Sequence, residues 1–510
     1  MLILSERRIF TSVLKLIILI FWIVFQFVFM ALIYNTFHVF SLYYFAFFEV
    51  ISILCVIHLN YKDENTSYKI SWILLILLIP VVGVIVYILA RIGIMYTLNK
   101  INKMNVNENI FPDEDEEMLY SLKKENKVRY NETRLIKNVS NCVTYSNTKI
   151  EYFSSGEDMY KRLLVELKKA KKFIFLEYFI ISESKMWDEI FKILKEKANS
   201  GVEVRILVDY VGSLFVFPSG LKKSAKSNNI KLKVFNPFKI ILDLMLNYRD
   251  HRKVTIIDGK VAFNGGFNIG DEYINSYKKY GYWKDMSTCL QGQAVYSFTA
   301  MFLEMWQSIT KEKEDFEKYK VAAKPEKSQG IVVPYDSGPT KRDDIAEDVY
   351  LSIINSAKDY IYITTPYLII GYEMLLALSL AAKKGVDVRI ITPFIPDKKV
   401  IQILTRSHYD KLLEAGVKIY EYTPGFIHGK TFLSDDECAV VGTINMDYRS
   451  LYLHFECATY MYNVPIIKDI HEDFIKTLEV SHRIDKDVWE KRSFLKKVIE
   501  SILRMFAPLA

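Results

Sequence analysis

Two stretches of the chain, HRKVTIID at 251–258 and HGKTFLSD at 428–435, share the pattern His-x-Lys-x-x-x-x-Asp. Each is followed by a glycine and, at the same distance from its histidine, by an asparagine: GGFN at 265–268 and GTIN at 442–445. A single His-x-Lys pair is common in surface loops. Repetition with equal internal spacing is instead typical of a duplicated structural unit, and we therefore predict that the chain contains two related halves.

Each half supplies one imidazole, one ammonium and one amide. The six residues are His251, Lys253 and Asn268 in the first half, and His428, Lys430 and Asn445 in the second. This set fits a site that handles a phosphodiester. One histidine attacks phosphorus and the other protonates the leaving oxygen, while the lysines and asparagines hold the non-bridging oxygens. We expect a pseudo-twofold axis to bring the six groups into one cleft.

The segments around the motifs predict an α/β fold. GVEVRILVD at 201–209 precedes the first motif and GVDVRIITP at 385–393 precedes the second, and strand-like runs alternate with helical spacing in both halves. Such alternation favours mixed sheets flanked by helices. We predict a first lobe at 138–325 and a second lobe at 326–510 that share one active site.

The strand period also predicts how each motif is arranged. Side chains two residues apart share a face of a strand, so each histidine and its lysine are expected to point together. Asp258 and Asp435 lie at odd offsets near the strand ends. We therefore expect them to support the site through an ion pair or a turn. The glycines before Asn268 and Asn445 are expected to let a phosphate approach the backbone.

The N-terminal part predicts a membrane region. Hydrophobic residues make up 51% of the chain, and three apolar runs, 16–34, 37–57 and 70–90, are each about the ~20 residues needed to span a bilayer as a helix. We assign 1–97 to transmembrane helices of a multi-pass membrane protein. Two alternatives remain open. The third segment, which contains Pro80 and Gly83, is re-entrant, or one of the first two runs does not span the bilayer. Basic residues around the runs favour a catalytic region on the cytoplasmic side.

Two further segments are charged. Residues 98–137 contain an acidic run followed by basic residues and are expected to form a polar linker. At the C-terminus, apolar residues from Trp489 to Phe506 fall at helical spacing among lysines and arginines. This pattern predicts an amphipathic helix, which either lies on an anionic lipid surface or packs on the catalytic region.

The duplicated motif resembles the phospholipase D superfamily, and the surrounding sequence resembles its bacterial cardiolipin synthases from about residue 66 onward. The matching stretches include LEYFII at 176–181, GGFNIGDEY at 265–273 and VVGTINMDYRS at 440–450. Gly429 departs from the pattern, which usually has Ala or Ser there. The resemblance implies two phospholipase D-type lobes and phosphatidyl transfer between two phosphatidylglycerol molecules, giving cardiolipin and glycerol.

The resemblance also implies individual roles. His251 is expected to be the nucleophile that carries a covalent phosphatidyl group, and His428 the general acid. Glu456 matches the orienting carboxylate behind the second motif, and Asp285 is its counterpart in the first half. The expected partners are phosphatidylglycerol, other anionic phospholipids and the bilayer. No metal or other cofactor is expected, because the five cysteines lack zinc spacing and the chain has no phosphate-binding glycine loop.

Three other functions share the motif. A membrane-bound hydrolase would use water as the acceptor of the phosphatidyl group. A transphosphatidylase would use another alcohol. The motif does not distinguish either activity from that of the transferase. A nuclease would suit the net charge of +7. The three apolar runs argue against nucleic acid as a partner.

Overall fold

The computed structural model describes residue 28 and residues 38–62, 64–102, 110–237, 248–321, 328–341 and 343–509. These residues form two compact units. The first unit holds the described residues up to Thr97 together with those from Ile502 onward. The second holds the described residues between Leu98 and Ser501, and it contains both copies of the motif.

Three helices begin the first unit: α1 (His38–Tyr61), α2 (Thr66–Leu78) and α3 (Pro80–Asn102). The side chain of Asn65 caps α2 by accepting a hydrogen bond from the Ser67 N–H at 3.0 Å. Their contact buries a small core around Leu59, Trp72 and Tyr87. Aromatic and aliphatic side chains elsewhere on α1, such as Phe47 and Leu54, remain exposed.

The predicted multi-pass region is not supported by these helices. Within the described ranges, no helix combines the length and the apolar content needed to cross a membrane. Proline favours the first helical position, so Pro80 starts a new helix and divides the third apolar run. The resulting α2 has 13 residues, or ~20 Å of helix against ~30 Å of hydrocarbon. Apart from Val28, the first run lies outside the described residues.

The segment expected to be a polar linker contains most of two helices, α4 (Glu116–Glu125) and α5 (Lys127–Ser140). The charged residues of α4 are exposed, whereas Arg129 and Glu132 of α5 are buried. Arg129, 1% exposed on its side chain, contacts Glu132 at 2.9 Å and Glu437 of the second lobe at 3.4 Å. The Tyr460 hydroxyl also donates to Glu132. The exposed charges of α4 agree with the expected polar segment, whereas Arg129 and Glu132 form a buried ion-pair network that reaches the second lobe.

The first lobe alternates strands and helices as predicted. Its elements are β1 (Thr148–Phe153), α6 (Gly156–Lys169), β2 (Phe173–Tyr178), α7 (Lys185–Asn199), β3 (Glu203–Asp209), α8 (Tyr210–Ser213), α9 (Leu221–Ser227), β4 (Lys231–Phe235), β5 (Lys253–Ile257), β6 (Val261–Gly265), β7 (Tyr282–Lys284), β8 (Ser287–Gly292), α10 (Val295–Thr310) and α11 (Phe316–Tyr319).

The second lobe repeats this order and extends it. Its elements are β9 (Ile331–Ser337), α12 (Ile345–Ser356), β10 (Tyr360–Thr364), β11 (Leu368–Ile369), α13 (Tyr372–Lys383), β12 (Asp387–Pro393), α14 (Lys399–Ser407), α15 (Tyr409–Glu414), β13 (Lys418–Tyr422), β14 (Gly425–Ile427), β15 (Thr431–Ser434), β16 (Cys438–Gly442), β17 (Met446–Asp447), a π-helical turn (Arg449–Leu453), β18 (Glu456–Tyr462), α16 (Ile466–Glu479), β19 (Ser481–Arg483), α17 (Lys486–Glu490), α18 (Phe494–Phe506) and a 3₁₀ turn (Ala507–Leu509).

The two main sheets have matching topologies. The first has the order β1-β8-β6-β5-β2-β3-β4, and the second has the order β9-β18-β16-β15-β10-β12-β13 with β19 added at its edge. At equivalent positions the pairings have the same sense: β2 and β3 are parallel, as are β10 and β12, whereas β5 and β15 run antiparallel to their neighbours. This confirms the predicted fold of two pseudo-symmetric α/β lobes.

The lobes meet along one side of each sheet. Strands β6 and β8 contact β16 of the other lobe, and β18 contacts β6. Helix α10, buried along most of its length, contacts β5, β6 and β8 of its own sheet and β9 of the other. A buried ion pair joins the lobes as well, because the Arg252 guanidinium lies 3.0 Å from Asp336. The two motifs therefore meet inside one compact unit.

The C-terminal amphipathic pattern is divided between two helices. Trp489 belongs to the short α17, where its ring lies 5.1 Å from that of Tyr409 and 3.8 Å from the Arg492 guanidinium. It therefore packs on the catalytic unit. Helix α18 begins five residues later and exposes its apolar stripe, including Leu495, Ile499 and Ile502.

Candidate active site

Backbone pairing between the lobes places each motif histidine beside the other lobe. The His251 N–H donates to the Phe455 carbonyl at 2.9 Å, and the Phe455 N–H donates to the Arg249 carbonyl. In the other half, β14 pairs with β7, and the His428 N–H donates to the Lys284 carbonyl at 2.7 Å. The histidines thus precede strands β5 and β15, where they were expected to lie within the strands.

These pairings exchange the orienting carboxylates. Nδ1 of His251 lies 2.8 Å from Oε1 of Glu456, and Nδ1 of His428 lies 2.6 Å from Oδ2 of Asp285. Both carboxylates are fully buried. Each imidazole therefore donates its Nδ1–H to a carboxylate from the opposite lobe, which fixes the tautomer and leaves Nε2 free for chemistry.

Neighbouring groups hold the carboxylates in place. The Trp283 Nε1–H and the Met286 backbone N–H donate to Asp285 at 3.2 and 3.0 Å, and the Thr443 hydroxyl donates to Glu456. A Cβ on Gly266 would lie 2.1 Å from Asp285 Oδ1. The missing side chain at Gly266 thus makes room for a carboxylate, where the sequence suggested room for phosphate.

The same kind of close approach explains Gly429. A Cβ there would lie 1.6 Å from the sulfur of Met286. Met286, which follows the carboxylate residue Asp285, fills the space beside Gly429, so a side chain at 429 would require the flexible Met286 side chain to move.

Both lysines are buried at the same site. Each ammonium donates to the carbonyl of its own motif histidine, Lys253 to His251 and Lys430 to His428. Burial lowers the pKa of Lys253 to about 8 and that of Lys430 to about 7. These ammonium groups are poorly solvated, so an anion bound between them would gain strongly from their charge.

Both imidazoles are neutral at neutral pH. Burial, followed by the positive charges of the two lysines, holds the pKa of His251 well below its ordinary value. Burial and Lys430 lower the pKa of His428 to about 4, despite the opposing effect of Asp285. The positive charge of Lys430, in the second motif, helps to lower the pKa of His251 in the first, so the two motifs form one electrostatic cluster.

The two asparagines are buried in different surroundings. The Asn268 side chain accepts from the Ile180 N–H at 3.0 Å and donates to the Tyr273 hydroxyl at 3.3 Å. Among the described residues, the side-chain oxygen of Asn445 has no hydrogen-bond partner. The two amides therefore differ in their hydrogen bonding: the side-chain oxygen of Asn268 has a partner among the described residues and that of Asn445 does not.

The motif aspartates lie away from this cluster. Asp258 is at the far end of β5 from Lys253 and accepts hydrogen bonds from the backbone N–H groups of residues 171–173 at 2.6–3.0 Å. Asp435 accepts in the same way from residues 358–360, each at 2.9 Å. Both adopt positive φ in a turn. These are the turn contacts expected from the odd offsets of both residues in the motif, and they give Asp258 and Asp435 a structural role.

His454, which the motif pattern does not single out, lies beside the histidine of the first motif. Its ring centroid lies 5.4 Å from that of His251, and its Nδ1 lies 3.7 Å from Oε1 of Glu456. His251, His454 and Glu456 place three ligand atoms within 4.8 Å of one another, a set that could hold a metal ion. The sequence offers one indication of this location: His454 lies two residues before Glu456, just as Trp283 lies two residues before Asp285.

Comparison with known proteins identifies the family. The family described as "Cardiolipin synthase, PLD-like domain" matches residues 163–306 and 350–478, and "Phospholipase_D-nuclease N-terminal" matches residues 50–91. A cardiolipin synthase of Clostridium perfringens (strain SM101 / Type A) is 35% identical, over 88% of this chain and 95% of its own. An uncharacterized protein of Streptococcus mutans serotype c is 44% identical, over 89% of this chain and 99% of its own.

A solved structure shares the fold. The phosphatidylserine synthase of Haemophilus influenzae Rd KW20 superposes with a TM-score of 0.56 at 15% identity, covering 75% of this chain and 97% of that one. The chain belongs to the phospholipase D-type cardiolipin synthase family. It is accordingly a phospholipid transferase, and the family predicted from the duplicated motif is confirmed.

Proposed function

We propose that this enzyme transfers a phosphatidyl group from one phosphatidylglycerol to another through a covalent intermediate on His251. The proposal rests on one observation: two neutral imidazoles, each fixed by a carboxylate of the opposite lobe, share a buried cluster with two lysines. A phosphodiester needs one nucleophile, one proton donor and cations for its non-bridging oxygens, and the cluster supplies them.

The first half-reaction forms the intermediate. Nε2 of His251 attacks phosphorus, and the bond from phosphorus to the glycerol oxygen breaks. His428 gives its Nε2 proton to that oxygen, and glycerol leaves. The pKa of His428 is about 4 without a neighbouring anion. An anionic phosphate beside it raises this pKa, because opposite charge favours the imidazolium.

The second half-reaction resolves the intermediate. His428, now neutral, removes the proton from a hydroxyl of a second phosphatidylglycerol, and that oxygen attacks phosphorus. The bond from phosphorus to His251 breaks, giving cardiolipin and the free enzyme. In both steps Lys253 and Lys430 bind the non-bridging oxygens, with Asn268 and Asn445 as further hydrogen-bonding groups.

We further propose that the enzyme acts at a bacterial membrane, with the catalytic unit on the cytoplasmic face. The exposed apolar side chains of α1 and α18 support contact with lipid. Basic residues flank the stripe of α18, with Lys496 and Arg504 exposed, which favours anionic headgroups. Phosphatidylglycerol carries such a headgroup.

The product formed from phosphatidylglycerol tests the activity. Purified enzyme with vesicles of phosphatidylglycerol should give cardiolipin and glycerol in equal amounts. Phosphatidic acid as the main product would instead show a hydrolase, and another phosphatidyl alcohol formed in preference to cardiolipin would show a transphosphatidylase. Rapid quenching should trap the phosphatidyl group on His251, whereas an adduct on His428 would reverse the assignment.

A further inference from the structure

His454 and Trp283 occupy equivalent positions in the two halves. Each lies two residues before the carboxylate that crosses to the other lobe, and each ring lies beside a motif histidine: Trp283 is 5.1 Å from His428 and His454 is 5.4 Å from His251. The equivalence makes the difference in residue type informative. An indole has one polar atom, a donor, whereas a neutral imidazole has a donor and an acceptor.

The polar atom of Trp283 is already used. Its Nε1–H donates to Asp285 at 3.2 Å. The imidazole of His454 is not committed in this way: its Nδ1 lies 3.7 Å from Glu456, beyond hydrogen-bond distance, and neither ring nitrogen has a hydrogen-bond partner among the described residues. The residue is only 7% exposed.

Burying an imidazole without hydrogen-bond partners costs free energy unless another molecule forms hydrogen bonds with its nitrogens. The pKa of His454 is lowered to about 3, chiefly by burial, so the ring is neutral and keeps one N–H to donate. Next to a histidine that receives a phosphoryl group, the missing partner is expected to be part of the substrate.

The geometry of the displacement at phosphorus indicates which part of the substrate His454 contacts. The attacking and leaving groups lie in line on opposite sides of phosphorus. The alcohol therefore leaves and enters on the side of His428. A residue beside His251 faces the group that stays bound to the nucleophile, and its nearest atoms are the non-bridging oxygens.

We propose that His454 donates a hydrogen bond to a non-bridging oxygen of the phosphatidyl group held by His251. This rests on the proposed function and adds a substrate-binding residue to it. The two ends of the pseudo-symmetric cleft then differ in function. His454 binds the transferred phosphatidyl group, whereas Trp283 only donates a hydrogen bond to Asp285, the carboxylate that orients His428.

A metal ion is the alternative occupant of His251, His454 and Glu456. Lys253 and Lys430 lie close enough to His251 for their charges to lower its pKa. Two ammonium groups repel a divalent cation and attract a phosphate. The charge of the cluster therefore favours the anion.

The test compares His454→Phe, which keeps a ring without nitrogens, with His454→Asn, which keeps an amide donor. Adduct formation from a short-chain fluorescent phosphatidylglycerol should slow ~10- to 100-fold in the Phe variant, the usual effect of one lost hydrogen bond to a charged group, and by less in the Asn variant. The ratio of cardiolipin to phosphatidic acid should stay unchanged, because the acceptor enters elsewhere.

Several results would overturn the proposal. An unchanged adduct rate in a folded Phe variant would do so, as would a changed product ratio with an unchanged adduct rate, which would place His454 with the acceptor. Zn²⁺ binding by the wild type that is lost in the Phe variant would assign a metal site instead. If the Phe variant does not fold, His454→Ala replaces it, and added imidazole should restore its adduct rate.

The proposed function can fail separately. A wild type that forms an adduct but no cardiolipin refutes the synthase activity and leaves the comparison of adduct rates intact. If the wild type forms no adduct, equilibrium binding of the same fluorescent lipid measures His454 directly, with ~10-fold weaker binding expected for the Phe variant.

Discussion

Glu456 of the second lobe accepts a hydrogen bond from Nδ1 of His251 of the first lobe at 2.8 Å, and Asp285 of the first lobe does the same for His428 of the second. The exchange follows from the backbone bridge between residues 250 and 455 and from the pairing of β14 with β7. Each half of the reaction therefore depends on both lobes.

The first prediction concerns these carboxylates. Glu456→Gln should slow formation of the covalent adduct ~100-fold or more, because an amide neither fixes the tautomer of His251 nor stabilises its positive charge. Asp285→Asn should act through His428 on proton transfer to the leaving glycerol. Quenched-flow labelling of His251 measures both. If Asp285→Asn instead released glycerol at the normal rate, the exchanged pairing would have no catalytic role.

The second prediction concerns metals. Activity should persist in excess EDTA, because Lys253, Lys430 and the two asparagines supply the charge and hydrogen bonds that a metal would otherwise provide. Cardiolipin formation is measured before and after chelation on metal-free vesicles. Complete loss that Mg²⁺ or Zn²⁺ restores would contradict the metal-free mechanism.

The third prediction concerns pH. The pKa of Lys430 is about 7 and that of Lys253 about 8. The charged forms bind phosphate and are lost as the pH rises, so kcat/KM for phosphatidylglycerol should fall between about pH 6 and about pH 9. Lys430→Arg keeps its charge throughout and should weaken this fall. A wild-type profile that is flat over this range would rule out these groups as the titrating cations.

The fourth prediction separates structure from catalysis in the motif. Asp435→Ala removes the acceptor of three backbone N–H groups and should destabilise the fold by about 1–2 kcal/mol, while the folded enzyme keeps most of its activity. Thermal unfolding and activity per folded molecule are compared with those of Glu472→Ala, a change at an exposed carboxylate. A stable but inactive Asp435 variant would return this residue to the catalytic set.

The fifth prediction concerns the exclusion of water. Replacing Ile499, Ile502 and Phe506 with Ser should lower cardiolipin formation more than total turnover of phosphatidylglycerol, so that phosphatidic acid rises as a share of product. These substitutions spare Trp489 and its packing on Tyr409, which a deletion from residue 489 would remove. A folded variant with the wild-type product ratio would show that α18 does not affect water exclusion.

The sequence predicted the two lobes and the two histidine motifs because duplication repeats in the linear order of residues. It did not predict which carboxylate faces which histidine, since that depends on bridges between residues 250 and 455 and between 284 and 427. Local periodicity also misjudged Arg129, whose burial depends on a distant partner, Glu437. The sequence did not single out His454, because it comes to lie beside His251 only when the two lobes pack together.

The exchanged carboxylates have an evolutionary consequence. Once each half of a duplicated chain holds the acid that the other half needs, neither half can decay or be replaced without disabling both. The halves remain free to specialise at positions that only flank the shared chemistry, as Trp283 and His454 have done. Copying the first half over the second would preserve every motif residue and erase the difference between the two ends of the cleft.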